Sequence, residues 1–175
     1  ANSLVEIEDF AFRGIGQLEG TLVIPDTVRT IGNSVFEDTK LTGLDLSKAT
    51  SLVEIAASAF SATDLEGTLV IPSRVTKIGS EAFWNTELTG LDLSKAASLV
   101  EIGELAFSAT GLEGTLVIPA KLTTIGPSAF GSTKLTGLNL SEATSLVEIG
   151  AWAFSATDLQ GTLVIPSRVT KIGSE

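Results

Sequence analysis

Leu18-Glu19-Gly20-Thr21-Leu22-Val23-Ile24-Pro25 decides how this chain is read. The pattern Leu-x-Gly-Thr-Leu-Val-Ile-Pro returns at Leu65–Pro72, Leu112–Pro119 and Leu159–Pro166, 47 residues further on each time. Between these copies lies a second pattern, Leu-Thr-Gly-Leu-Asp/Asn-Leu-Ser, at Leu41–Ser47, Leu88–Ser94 and Leu135–Ser141. A fixed period of this length marks a repeat array, in which each unit buries its apolar face only against its neighbours.

The period divides into coils of two kinds, of 23 residues (Leu18–Lys40) and 24 residues (Leu41–Asp64). Both follow one skeleton: Leu-x-Gly, Leu-x-Ile/Leu, Val/Leu-x-x-Ile, x-x-Ala-Phe, x-x-Thr. Coils begin at Leu18, Leu41, Leu65, Leu88, Leu112, Leu135 and Leu159, after a partial coil over 1–17, and the last is cut at Glu175. The reading predicts a single solenoid over 1–175. Leu22-Val23-Ile24 and Leu44-Asp45-Leu46 alternate in, out and in, as strands do. Pro25 or Ser47 then ends the strand, proline because it has no N–H for a ladder. Val28–Ile31 reads as a second short extended piece. Ser34-Val35-Phe36 fits one helical or 3₁₀ turn with Phe inward, and Gly32, Gly79, Gly126 and Gly173 are expected to bend the chain.

The skeleton resembles the BspA-type leucine-rich repeat, L-x-x-I-x-I-P-x-x-V-x-x-I-G-x-x-A-F-x-x-C. Leu69-Val70-Ile71-Pro72, Val75-Thr76-Lys77-Ile78-Gly79 and Ala82-Phe83 match it position by position. The resemblance implies a right-handed leucine-rich-repeat solenoid with a parallel sheet, of a kind found in surface proteins of bacteria and protists. Where such repeats carry Cys, this chain carries Thr39, Thr63, Thr86, Thr110, Thr133 and Thr157. The other departure is the Ser-Lys-Ala-Thr exit of alternate coils.

In-register stacking at about 4.8 Å per coil turns the repeat into columns. Two inward columns run Leu22, Leu44, Leu69, Leu91, Leu116, Leu138, Leu163 and Ile24, Leu46, Ile71, Leu93, Ile118, Leu140, Ile165. A third holds Phe36, Phe60, Phe83, Phe107, Phe130 and Phe154. The Thr column is expected to bond loop backbone groups between coils. On the second extended piece Glu6, Thr30, Glu54, Lys77, Glu101, Thr124, Glu148 and Lys171 never set Glu beside Glu.

Composition narrows the function. The net charge of −10 repels phosphate backbones, so no nucleic-acid partner is expected. His and Cys are absent, which removes the usual nucleophiles, general bases and transition-metal ligands. No catalytic residue, metal site or cofactor is expected. Asp45 and Asp92 share a column two coils apart, but the face reads as a flat ribbon with nothing convergent around them. No apolar run spans a membrane and no signal peptide is seen. Met is absent too, which reads as a fragment or processed product.

What remains is a surface. The outward positions Thr21, Val23, Asp45, Thr68, Val70, Asp92, Thr115, Val117, Asn139, Thr162 and Val164 form a candidate binding face. Trp84 and Trp152 are candidate aromatic contacts, set in columns that otherwise hold small or polar residues (Glu37 and Ser61 for Trp84, Ala57 and Glu104 for Trp152). Asn139-Leu140-Ser141 is a nominal glycosylation sequon. The chain is expected to be a non-enzymatic extracellular or cell-surface protein that binds a protein partner. The alternative is a segment of a long array or filament associating end to end. Ser61–Glu81 and Ser155–Glu175 differ only at Glu66 and Gln160, as recent duplication would leave them.

Overall fold

Each complete coil contributes one longer and one very short strand, because each carries one alternating triplet and one isolated inward Ile. The computed structural model describes residues 4–173. In chain order the strands are β1 Glu6–Ile7, β2 Glu19–Val23, β3 Thr30–Ile31, β4 Lys40–Asp45, β5 Glu54–Ile55, β6 Glu66–Val70 and β7 Lys77–Ile78. They continue as β8 Glu87–Asp92, β9 Glu101–Ile102, β10 Glu113–Val117, β11 Thr124–Ile125, β12 Lys134–Asn139, β13 Glu148–Ile149 and β14 Lys171–Ile172. All recorded pairings are parallel, so the chain is a parallel β-solenoid.

The short strands form one continuous eight-stranded sheet, β1-β3-β5-β7-β9-β11-β13-β14, one strand per coil. Its register sets Glu6 beside Thr30, Glu54 beside Lys77 and Glu101 beside Thr124, so the column read from sequence is real. Lys77 Nζ lies 3.4 Å from Glu101 and Lys171 Nζ 2.6 Å from Glu148. The longer strands behave differently. They pair only two by two, β2 with β4, β6 with β8 and β10 with β12.

The Phe column extends one member further than expected, to Phe12. From Phe12 to Phe154 successive rings stack with centroids 5.2–5.5 Å apart and planes within 12° of parallel. Ile31, Ile55, Ile78, Ile102 and Ile125 are fully buried beside it.

Four expectations change in detail. The Phe-bearing stretch forms no helix or 3₁₀ segment among the described residues. It is a run of turns with two left-handed residues per coil, such as Ser34 (φ 50°) and Asp38 (φ 58°), or Leu105 (φ 55°) and Ala109 (φ 56°). This geometry aims alternate amides at the next coil: Ser34, Phe36 and Asp38 N–H donate to the Ala57, Ala59 and Ser61 carbonyls at 2.9, 2.9 and 3.1 Å. A helix would consume those donors internally and leave the stacked coil unbonded.

The Thr column works inside its coil. Thr39, Thr63 and Thr86 Oγ1 donate to the Phe36, Phe60 and Phe83 carbonyls, three residues back, at 2.8, 2.8 and 3.1 Å. These buried hydroxyls satisfy the carbonyls of residues whose N–H groups already point to the neighbour.

The glycines act by close approach. Gly79 and Gly126 do not have positive φ; a Cβ on either would stand 2.5 Å from a backbone nitrogen of the preceding coil, that of Ala57 or Glu104. Gly32 packs likewise on Asp9, and of these four only Gly173 is left-handed (φ 59°).

Finally, the first inward column is not uniformly core. Leu69 and Leu116 are buried, but Leu22, Leu44, Leu91 and Leu138 are half-buried, and Leu163 and Ile165 are exposed in the last coil.

Candidate functional site: the paired-strand face

The candidate face is built from ribs of two kinds. In each pair Thr stands beside Gly and Val beside Asp or Asn: Thr21 beside Gly43 and Val23 beside Asp45, Thr68 beside Gly90 and Val70 beside Asp92, Thr115 beside Gly137 and Val117 beside Asn139. The alternation has a packing cause. A Cβ at Gly43, Gly90 or Gly137 would meet the Thr21, Thr68 or Thr115 hydroxyl at 2.5–2.6 Å, so the Thr side chain occupies the space that glycine leaves. A bulge follows Gly20, Gly67 and Gly114, which are left-handed at φ 84°, 75° and 74°.

Asp45, Asp92 and Asn139 all cap their own strand exits. Their Oδ1 atoms accept the Ser47, Ser94 and Ser141 backbone N–H at 2.8, 2.8 and 2.9 Å. The Ser47 hydroxyl first, and then that N–H, hold the Asp45 carboxyl below the usual carboxylate range; Ser94 does the same to Asp92. These carboxylates serve local turns and lie on alternate ribs, two coils apart and in different grooves, without the shared pocket that paired acid–base catalysis needs.

Between pairs the face opens, so it is not the flat ribbon that the alternating columns suggested. A groove of about 620 Å³ separates β4 from β6, one of about 560 Å³ separates β8 from β10, and one of about 470 Å³ follows β12. Half-buried Leu44, Leu91 and Leu138 reach them in turn; Asp45, Asp92 and Asn139 stand on one wall, and Val70, Val117 and Val164 on the other. These leucines were assigned to the core, and their part in the face was missed. The signal was present: β4-type coils exit through Leu-Ser with one extra residue, β6-type coils through Ile-Pro.

Thr162 and Val164 sit in the last coil, which forms β14 but none of the longer strands, and Val164 is 73% exposed. Asn139 is exposed on the third groove, with its Oδ1 engaged in the turn. Trp84 and Trp152 stand elsewhere, in the Phe-bearing turns and three coils apart. Trp84 is 37% exposed in a column whose Ser61 and Ser108 are buried, so the column is not an open one despite its polar members. Trp152 aligns one residue along from Ala57 and Glu104: it shares the left-handed position of Ser58 and Leu105 (φ 54°, 54° and 55°) and is 65% exposed.

Among the described residues no His, Cys, Asp or Glu group of three could hold a metal, and no helix is long and apolar enough to cross a membrane.

A family model described as BspA type leucine rich repeat region matches in six copies, over residues 1–108 and 53–175. No curated protein matches the chain. Among solved structures, the pneumococcal vaccine antigen PcpA aligns at 23% identity with a TM-score of 0.61, covering 99% of this chain and 40% of that one. A leucine rich cell surface protein from Faecalibacterium prausnitzii A2-165 aligns at 20% identity and a TM-score of 0.45, covering 96% and 63%. The chain thus spans less than two thirds of either, and what the likeness to PcpA carries is the fold.

Proposed function

We propose a protein-binding role for this chain, which belongs to the BspA-type leucine-rich-repeat family. In this reading it is a non-enzymatic extracellular or cell-surface protein, the setting that family membership implies. Its partner is a protein and its contact surface is the paired-strand face, Thr21 through Val164. One observation carries the reading: Val23, Val70 and Val117 stand 48%, 37% and 46% exposed in one line, each beside a groove or its first rib. A solvated stabilising surface has no need of large apolar groups in register, and such ordered exposure is what an interface desolvates.

The test is saturation binding of the labelled protein to an array of purified extracellular and cell-surface proteins, repeated with the Val70→Arg/Val117→Arg double variant. A saturable partner whose affinity falls about tenfold or more in the variant supports the reading. Saturable binding that the variant leaves unchanged sinks this face as the contact surface.

A second reading is a segment of a long array or filament. It is favoured by the near-identity of 61–81 and 155–175, which differ only at Glu66 and Gln160, as an array extended by duplication would leave them. Concentration-dependent growth in sedimentation velocity that survives the double variant would favour it over the first.

A further inference from the structure

The turns that lead from each longer strand to the next short one gather the cations of this chain. They span 24–29, 46–53, 71–76, 93–100, 118–123, 140–147 and 165–170. Arg29, Lys48, Arg74, Lys95, Lys121 and Arg168 lie in them, six of the 11 Lys and Arg residues. Of the 21 Asp and Glu residues they hold two, Asp26 and Glu142. The turns therefore carry a net +4, and the remainder of a chain of net −10 carries −14.

In-register stacking turns these segments into one seam. Backbone bonds tie its downstream border coil to coil: Val53 N–H donates to the Arg29 carbonyl at 2.8 Å, Thr76 to Val53 at 2.8 Å and Val100 to Thr76 at 2.9 Å. All six cations are exposed. Lys48, Arg74, Lys95 and Lys121 come from four successive coils without a break.

Pairing separates the seam from the rest of the surface. Elsewhere Arg13, Lys40, Lys77 and Lys171 lie 3.1, 3.3, 3.4 and 2.6 Å from a carboxylate of a neighbouring coil, and Lys134 stands beside Glu113 in the ladder. Among the described residues none of the six seam cations has a carboxylate within 4.0 Å. Asp45 and Asp92 come three residues before Lys48 and Lys95, and each engages Oδ1 with the Ser47 or Ser94 N–H. Paired cations stabilise their own fold. An unpaired run held together against its own repulsion is left for an anion from outside.

We propose that the seam binds an acidic, extended polypeptide segment of the partner. This rests on the protein-binding reading above and names the charge of the partner and the edge on which that charge lies. The seam begins one residue past Asp45, Asp92 and Asn139, and Lys95 and Glu142 reach the grooves that follow β4 and β8. A protein seated over the exposed valines therefore meets it.

The surroundings select a single chain of carboxylates. The seam is one turn wide, with Asp45 and Asp92 on the strands before it and Glu54, Glu101 and Glu148 on the strands after it. A broad anionic surface such as a lipid bilayer would press on those carboxylates as well, whereas one extended chain touches the turns alone. The seam holds no Phe, Trp or Tyr, so it lacks the stacking platform on which proteins hold single-stranded nucleic acid. Asp and Glu side chains accept charge-assisted bonds from exposed Arg and Lys without either requirement.

The experiment is fluorescence anisotropy with a labelled oligoglutamate and an oligoglutamine control, at about 0.15 M salt, where screening confines attraction to about 8 Å. Oligoglutamate is expected to bind saturably and the control not at all. Arg74→Glu/Lys121→Glu reverses two cations that line no groove and should weaken binding about tenfold or more. Lys40→Glu/Lys134→Glu makes the same change in net charge away from the seam and should weaken it less than about twofold. Glu142→Lys fills the break between Lys121 and Arg168 and should tighten it about twofold to fivefold. Equal weakening by the two reversals would mean attraction by net charge and overturn the proposal. A heparin oligosaccharide or phosphatidylserine vesicles that bind through the seam where oligoglutamate does not would give it to another polyanion and overturn the proposal too. A protein partner captured on the array separates the two readings. If Val70→Arg/Val117→Arg abolishes its binding and the seam reversal leaves it unchanged, the acidic segment fails and the protein-binding face stands. If the seam reversal weakens both oligoglutamate and the partner while the valine variant weakens neither, the seam stands and the face falls.

Discussion

The eight-stranded face and the paired-strand face are built from the same coils, yet one is continuous and the other is broken at every second step. On the first, all coils present an identical unit, one outward residue and one inward Ile, and the ladder runs unbroken from Glu6 to Ile172. On the second, the coils alternate between an Ile-Pro exit and a longer Leu-Ser exit, and pairing survives only where Thr can settle over Gly. A ladder propagates as far as the backbone spacing stays constant. Where two coil types differ by one residue, the mismatch gathers at one junction, and that junction becomes a groove. The regular face is one continuous ladder, and the irregular one is where the grooves open.

The comparison can be broken most forcibly from the side that both faces share. Phe83→Ala removes a fully buried ring from the middle of the stack and should destabilise the protein by about 3–5 kcal/mol. Phe12→Ala, at the partly exposed end, should cost distinctly less. Guanidinium unfolding of both variants checks this, and equal losses would mean that the stack does not act as a continuous core.

The two faces should then respond unequally to one added methyl. Gly126→Ala sets a Cβ against the Glu104 backbone, which cannot rotate away, and should cost about 1–3 kcal/mol. Gly90→Ala first meets the Thr68 side chain, Oγ1 at 2.5 Å and Cγ2 and Cβ at 3.1 and 3.2 Å; rotation of that side chain relieves the closest contact, and the change should cost less than half as much. Thermal melts of the pair compare them directly; the reverse order would contradict the close-approach account of the regular face.

Thr86→Val keeps the shape of a buried side chain and strips the hydrogen bond from the Phe83 carbonyl, for an expected loss of about 1 kcal/mol. A neutral result in the same melts would mean that the hydroxyl column is dispensable.

The smallest effect concerns acid. The folded-state pKa of Asp45 and Asp92 is lowered, so each adds stability that is present above the unfolded value near 3.8 and is lost as pH falls through the depressed folded value. Asp92→Asn keeps the strand-exit turn, as Asn139 does, but loses the charge-assisted part of its bonds, so it should lower neutral stability slightly and flatten the fall in melting temperature below about pH 4. An identical acid profile would remove the turn as its source.

Much of this could be read along the chain. Because stacked parallel coils hold equivalent residues side by side, period in sequence becomes position in space, and the columns through Ile31, Phe83 and Glu101 follow from counting. The candidate face was legible as a row of outward residues from Thr21 to Val164 for the same reason. The grooves were not, because Leu44 and Leu69 look alike in sequence; their burial differs only through the distance to the coil beyond. Trp84 illustrates the same limit, since its column contains Ser61 and Ser108, polar residues that the stack nonetheless buries.

The sequence by itself determined the repeat, the parallel solenoid, the inward Ile and Phe columns and the acidic character, since each is a property of one coil multiplied. Tertiary structure alone decided how neighbouring coils meet. It set Thr39 on its own coil's Phe36 carbonyl, put Ser34 and Asp38 in the left-handed region so that their amides reach the next coil, and brought Gly126 against Glu104. It also left Leu44, Leu91 and Leu138 half-buried at the grooves. All but the Thr39 bond depend on the distance between coils, and no single coil's sequence contains that distance.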